Sequence, residues 1–180
     1  LLGQKLEKKL GIDSRKSELK IIDLGCGDGT LTVEMAKFAN NVTAVDINPD
    51  MLAMAKQRTD RLGLKNVSFL VEDASNLSLS SESLDVVFFS QSLHHLENPQ
   101  KGLHEAARIL RPGGKILVME LASHKEEWVL EKLGHKWLGF EKEYLIDCMK
   151  SAGLTNLYSE VLPHRREELF QIILSAGSKS

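Results

Sequence analysis

Lys20-Ile21-Ile22-Asp23-Leu24-Gly25-Cys26-Gly27-Asp28-Gly29-Thr30-Leu31 is the stretch that decides the fold. Ile21, Ile22 and Leu24 make a short apolar run of strand length. Glycines at 25, 27 and 29 follow it, and Leu31, Met35 and Phe38 then recur at helical spacing. A strand that ends in glycines and opens a helix lets the main chain approach a ligand closely, because no Cβ stands in the way. The helix start adds unpaired N–H groups and a positive dipole end, both suited to an anionic group.

Outward from this stretch the chain alternates between apolar runs and amphipathic segments. A second run, Val42 to Asp46, leads into Asn48-Pro49, a capping residue followed by proline at the first helical position. That helix carries Met51, Leu52, Met54 and Ala55 and is expected to end near Leu62-Gly63. Val67 to Val71 reads as a third strand, 76–81 as a polar loop, and Leu84 to Phe89 as a buried strand. Pro99 opens a helix through Leu103, Ala106, Ala107 and Leu110. Arg111-Pro112-Gly113-Gly114 predicts a turn before a fifth strand, Lys115 to Leu121. Residues 123–152 read as helical with a break at 134–140, and Gly153 as the cap of the last turn. Leu154 to Leu162 and Leu169 to Leu174 read as strands joined through Pro163-His164-Arg165-Arg166. This alternation predicts an α/β fold, doubly wound and Rossmann-like, with a mostly parallel sheet in one domain spanning 1–180.

The composition narrows the class of function. Of 180 residues, 42% are hydrophobic and 27% charged, a globular balance. A net charge of -2 offers no general attraction for a polyanion, so no nucleic-acid contact is expected. Cys26 and Cys148 cannot form a disulfide framework, which points to a reducing, cytoplasmic setting. No run approaches the roughly 18 apolar residues that span a bilayer, so no membrane partner is expected. The chain begins at Leu1 and not Met, and further chain upstream is an expectation.

The architecture leaves two kinds of nucleotide ligand in contention. A dinucleotide site wants Gly-x-Gly-x-x-Gly, which would place its third glycine where Thr30 stands. A carboxylate at the end of the second strand, Asp46, suits the two hydroxyls of a ribose in either case. Two further segments, Val71-Glu72-Asp73-Ala74 and Phe89-Ser90-Gln91-Ser92-Leu93-His94-His95-Leu96, decide between them. From Lys20 to Leu121 the chain resembles the class I S-adenosylmethionine-dependent methyltransferase family. Ile22 to Gly29 is similar to the family's first motif, Val45-Asp46-Ile47 to its ribose-binding acid and adjoining apolar residue, and Glu72-Asp73-Ala74 to its adenine-edge motif. Leu110 to Lys115 matches the turn before its fifth strand.

The resemblance implies seven strands, the last of them (here Phe170 to Leu174) antiparallel to the rest. It implies S-adenosylmethionine as cofactor. Gly25, Cys26 and Gly27 would cradle the methionine end with Asp23 at its ammonium, and Asp46 would hold the ribose. Ile47 and Met51 would pack on adenine, Asp73 would accept from the amino group, and the Ala74 amide would lie near a ring nitrogen. Ser90 and Gln91 would face the amino-acid end. Each has a plainer reading: Asp23 as a turn cap, Asp46 as a solvated strand end, Asp73 as a loop carboxylate, Ile47 and Met51 as core. Cys26 reads as a small loop residue and not as a nucleophile.

Methyl transfer from a sulfonium is an in-line displacement, so alignment and desolvation supply much of the catalysis. A hydroxyl or carbon acid also needs a base. His95, on the rim beyond the fourth strand, is the catalytic candidate, against a plain hydrogen bond to the following loop. A small-molecule acceptor is expected, held by 122–180 above a cofactor core at 20–121. Residues 1–19, with Leu2, Leu6 and Leu10 at helical spacing, read as the remnant of a lid. Leu121 to Phe140 resembles a subgroup joined to upstream winged-helix regulators of the arsenic-repressor type, but the two cysteines argue against an arsenic acceptor. No metal site is expected, since Glu120, His124, Glu127 and His135 lack a tight His-x-x-x-His pair. Trp128 and Trp137 read as packing, and His164-Arg165-Arg166 as a solvated loop. The competing readings are a module that senses S-adenosylmethionine without turnover and, more distantly, a nicotinamide-dependent oxidoreductase.

Overall fold

In the computed structural model, which describes residues 18–164 and 169–180, strand side chains alternate between two apolar cores, one on each face of a sheet. Along β1 (Lys20–Leu24), Ile22 and Leu24 enter one core while Ile21 enters the other. In β4 (Leu84–Ser90), Val87 and Phe89 face the first core and Val86 and Phe88 the second. Strands buried on both faces need near-continuous hydrophobic runs, and that is why these segments were legible as strands. The first core is closed by α3 (Pro99–Ile109) and α5 (Lys142–Ser151), the second by α1 (Thr30–Ala36).

β2 (Asn41–Asp46), α2 (Pro49–Arg61), β3 (Val67–Val71), β5 (Leu110–Leu121), α4 (Trp128–Lys132), β6 (Leu154–Val161) and β7 (Ile172–Lys179) complete the order. The sheet runs β3-β2-β1-β4-β5-β7-β6. β1 to β5 pair in parallel, and β7 runs antiparallel to both its neighbours. This is the seven-stranded, doubly wound sheet the sequence predicts. Both Asn-Pro starts form as expected: Asn48 accepts from the Asp50 N–H and Asn98 from the Lys101 N–H.

Three boundaries differ from expectation. The Arg111 to Gly114 turn lies inside β5, where Leu84 pairs with Leu110 and Val86 with Lys115, so the extra residues bulge from the ladder. Residues 123–127 are not helical, because Ser123 and His124 donate to the carbonyls of Phe140 and Leu138. β7 starts at Ile172, two residues beyond the expected Phe170, and runs on to Lys179. The N-terminal lid expected within 1–19 falls almost wholly outside the described residues, as do Arg165 and Arg166.

Candidate active site

Sheet order reverses between β1 and β4, since the chain steps from β1 to β2 on one side and to β4 on the other. Ligands of open α/β sheets settle at such a switch point, beyond the carboxyl ends of the strands. A cleft of about 1170 Å3 opens there. It holds all twelve residues singled out from the sequence: Asp23, Gly25, Cys26, Gly27, Asp46, Ile47, Met51, Asp73, Ala74, Ser90, Gln91 and His95.

The glycine loop has two different glycines in it. At Gly25 (φ +73) a Cβ would stand 2.3 Å from the Ser92 Cβ, so this glycine lets the β4 rim close on β1. Ser92 secures the approach by donating its hydroxyl to the Leu24 carbonyl at 2.7 Å. At Gly27 (φ +53) nothing lies within 4 Å of a built Cβ, so this glycine keeps the cleft itself clear. The loop amides are less available to a ligand than the sequence implied. Gly25 and Cys26 both donate to the Val45 carbonyl, and Gly27 donates to Asp46 Oδ2 at 2.9 Å. At the start of α1 the anion is the protein's own: Asp28 Oδ1 accepts from the Thr30 N–H at 3.1 Å and from its hydroxyl at 2.7 Å. Arg58 pairs with that carboxylate in turn.

The acids of the cleft are unequal. Asp23 is buried; Oδ2 accepts from the Thr32 hydroxyl at 2.6 Å, while Oδ1 is buried with no partner. Burial, only partly offset by Thr32, raises its pKa to about 6. Asp46 is half-buried, with one oxygen on Gly27 N–H and the other on Asn48 N–H at 2.9 Å. Each of its oxygens keeps a lone pair for a further donor. Exposed Asp73 uses Oδ1 on the Ser75 N–H, beside buried Ala74. Ile47 is 69% exposed and Met51 37%, so both face the cleft and are not core residues. The Cys26 thiol is pushed upward, first by burial and then by the charges of Asp23 and Asp46, which keeps it protonated. Gln91 adopts φ +51 and donates its N–H to the Met119 carbonyl, fixing the end of β4.

Across the cleft, a 3-10 turn (Leu93–His95) exposes His95 and buries His94. The His95 Nδ1 lies 3.4 Å from the Gly134 carbonyl, and burial followed by the neighbouring His94 lowers its pKa. His94 Nδ1 lies 2.7 Å from Glu120 Oε2. Leu133 and Lys136 also line the cleft, and sequence reading missed them. They arrive because 133–140 folds back: the Lys136 N–H donates to the His94 carbonyl at 2.8 Å and Trp137 Nε1 to the Leu96 carbonyl at 3.0 Å. Of the four residues weighed as metal ligands, Glu120 and His135 join His94, His124 packs against Phe170 with ring centroids 4.3 Å apart, and Glu127 is an exposed residue at the start of α4.

Residues 22–118 match the methyltransferase domain family. The chain belongs to the class I S-adenosylmethionine-dependent methyltransferases. It is 31% identical over 129 residues to the ubiquinone/menaquinone biosynthesis C-methyltransferase UbiE of Zymomonas mobilis, covering 72% of this chain and 49% of that protein. It is 30% identical over 148 residues to 2-methyl-6-phytyl-1,4-hydroquinone methyltransferase 2 of rice, covering 81% of this chain and 41% of that protein. This methyltransferase domain thus spans less than half the length of either relative. Its fold superposes on phosphoethanolamine N-methyltransferase 2 of Haemonchus contortus in complex with S-adenosylmethionine. The TM-score is 0.80 at 18% identity, over 99% of this chain and 52% of that one.

The cleft suits the family's cofactor, S-adenosylmethionine. Asp23 Oδ1 is buried without a partner, nothing lies within 4 Å of a Cβ built on Gly27, and apolar Ile47 and Met51 stand exposed in the same cleft.

Proposed function

We propose that this domain transfers a methyl group from S-adenosylmethionine to a small-molecule acceptor by in-line displacement. One observation carries the proposal: acids and exposed apolar residues share one cleft of about 1170 Å3 with His95 and the 133–136 segment. That volume exceeds the upper range of ordinary single-ligand pockets, about 1,000 Å3, and leaves room for a second molecule. The relatives named for quinone biosynthesis and for a phytyl hydroquinone support an acceptor of small-molecule size.

The cofactor supplies an electrophilic methyl group on a sulfonium. Asp23 Oδ1 would receive its ammonium, so that a charge that burial disfavours in the free protein would gain a partner. Asp46, braced by two backbone N–H groups, would accept the ribose hydroxyls without having to reorient. Ile47 and Met51 would pack against the adenine that Asp73 and the Ala74 amide would read, while Ser90 and Gln91 would close the amino-acid end. Gly25, Cys26 and Gly27 form the floor. His95 stands on the acceptor side with Leu96, Met119 and Leu133, where an imidazole nitrogen orients the nucleophile and the apolar side chains exclude water.

Calorimetric titration with S-adenosylmethionine and S-adenosylhomocysteine tests this, on the wild-type domain and on Asp46→Ala and Asp46→Asn. Saturable binding weakened about tenfold or more by each substitution is expected, given about 1.5–3 kcal/mol for hydrogen bonds to a charged group. Absence of binding to the folded wild-type protein overturns the proposal.

A further inference from the structure

Beside the cleft, three imidazoles from two distant segments meet. The ring of His94 lies 4.2 Å from that of His135 and 4.3 Å from that of His95, and His95 and His135 are 4.9 Å apart. One nitrogen from each lies within 4.8 Å of the other two. His135 is 8% exposed and its Nδ1 is buried with no hydrogen-bond partner. Buried polar atoms are nearly always satisfied, so an imidazole with an orphaned nitrogen, packed against two other imidazoles, calls for an explanation.

We propose that His94, His95 and His135 bind one divalent transition-metal ion of the zinc class, with Glu120 as the outer carboxylate that orients His94.

The surroundings are those of a ligand set. Metal-bound histidines almost always hold their other ring nitrogen on a carboxylate or a backbone carbonyl, which fixes the tautomer. His94 has Glu120 at 2.7 Å, and His95 has the Gly134 carbonyl at 3.4 Å. Both contacts occupy Nδ1 and leave Nε2 for an ion. Glu120 is itself held rigidly, with Oε1 accepting from the Leu93 N–H at 2.7 Å and Oε2 from the Leu121 N–H at 3.1 Å. It is fully buried, and among the described residues it pairs with no lysine or arginine. A divalent cation one imidazole away would balance that charge.

Three neutral imidazoles suit zinc, cobalt, nickel or copper, not magnesium or calcium, which want oxygen ligands. Zinc–nitrogen bonds of about 2.0–2.1 Å put tetrahedral ligand atoms roughly 3.4 Å apart, so ring movements of about an ångström close the site. The segment carrying His135 is already tied down. The Lys136 N–H bonds His94, and Gly139 (φ +73) lies so close to strand β5 that a Cβ there would stand 2.3 Å from the Ala122 carbonyl oxygen. Three protein ligands leave a fourth position open, as in catalytic zinc sites. Because His95 also lines the cleft, the ion would stand beside the acceptor. With the ion bound, His95 would act on the acceptor through that ion; in the ion-free protein its own Nε2 is the group that faces the acceptor. The metal site requires neither the cofactor nor methyl transfer.

The test is titration of the untagged full chain with Zn2+ by calorimetry and with Co2+ by visible absorption, without cofactor. The expected result is one ion per chain and the intense visible bands of four- or five-coordinate cobalt. His135→Gln and His95→Gln should each weaken binding at least tenfold, and Glu120→Gln about 10–100-fold. His104→Gln, on α3 against Ser151, should leave it unchanged. Because His95 is exposed, its variant is expected to keep the fold even if a buried one does not. Failure of both ions to saturate the wild-type protein, or wild-type affinity in His95→Gln, overturns the proposal. Retained S-adenosylmethionine binding alongside such a failure would leave the proposed methyl transfer standing.

Discussion

Replacing Asp23 by asparagine should make the free domain more stable and the cofactor bind less tightly. Asp23 is buried in the free protein and its pKa is raised from 3.8 to about 6, chiefly by desolvation. Between those two pH values the folded chain holds a proton that the unfolded chain has released, so this group's contribution to stability falls as pH rises through the window. At about 1.4 kcal/mol per pH unit, the full penalty above pH 6 is roughly 3 kcal/mol. Asparagine keeps the shape and can still accept from Thr32, yet it brings an amide NH2 that needs a partner. A net gain of about 2 kcal/mol at pH 8, or about 6 °C in Tm, is the expectation. The assay is thermal unfolding of the two cofactor-free proteins from pH 4 to pH 8, read as their difference so that other titrating groups cancel. The gain should shrink towards zero near pH 4, where the folded carboxyl is protonated and most of the ionisation penalty has gone. S-adenosylmethionine affinity at pH 8 should fall about 10–100-fold, the worth of a hydrogen bond to a charged group. Equal stability of the two proteins at pH 8, or a gain of the same size at pH 4, would refute the reasoning.

Three other substitutions separate stability from binding. Gly25→Ala drives a Cβ into Ser92 at a positive φ and should cost about 3 kcal/mol, measured by urea unfolding. Gly27→Ala meets nothing in the free protein, so it should cost only about 1 kcal/mol for its backbone while severely weakening cofactor binding by calorimetry. Thr32→Val removes the hydroxyl that lowers the Asp23 pKa, so the pH below which cofactor affinity declines should move upward from about 6. An unchanged binding profile in Thr32→Val would mean that the Asp23 charge does not contact the ligand.

The parts of this domain that could be read in its sequence are those set by contacts near in the chain. Ile21 to Leu24 and Val86 to Phe89 are apolar at every position or nearly so, which marks strands buried on both faces. Asn48-Pro49 and Asn98-Pro99 carry their own caps, so two helix starts follow from adjacent residues. The acids of the cleft were legible for a related reason. Asp23 and Asp46 lie at the carboxyl ends of β1 and β2 and Asp73 two residues beyond β3, and parallel strands deliver those ends to one rim. Where long-range pairing decides, local reading fails. Residues 123–127 look helical in isolation, but two of their amides are claimed by Leu138 and Phe140, and the competing pairing wins.

That same pairing hides the histidine cluster. His135 lies forty residues beyond His95, and no interval in the sequence marks the two as neighbours. Metal-site rules built on spacing detect ligands that share a helix or a hairpin, and this trio shares neither. What joins them is a loop whose left-handed Gly134 and Gly139 permit its turns, locked by the Lys136 and Trp137 hydrogen bonds to the segment that follows β4. The glycines are plain in the sequence, but their consequence appears only once the end of β5 and the residue after it supply the carbonyls of Leu121 and Ala122 that the loop packs against. The wall of the cleft proposed to hold the cofactor is therefore fixed by strand ends that local pattern reveals. The wall proposed to face the acceptor is fixed by one returning loop, so substitutions in 133–140 should change acceptor affinity while leaving S-adenosylmethionine binding, measured by calorimetry, intact.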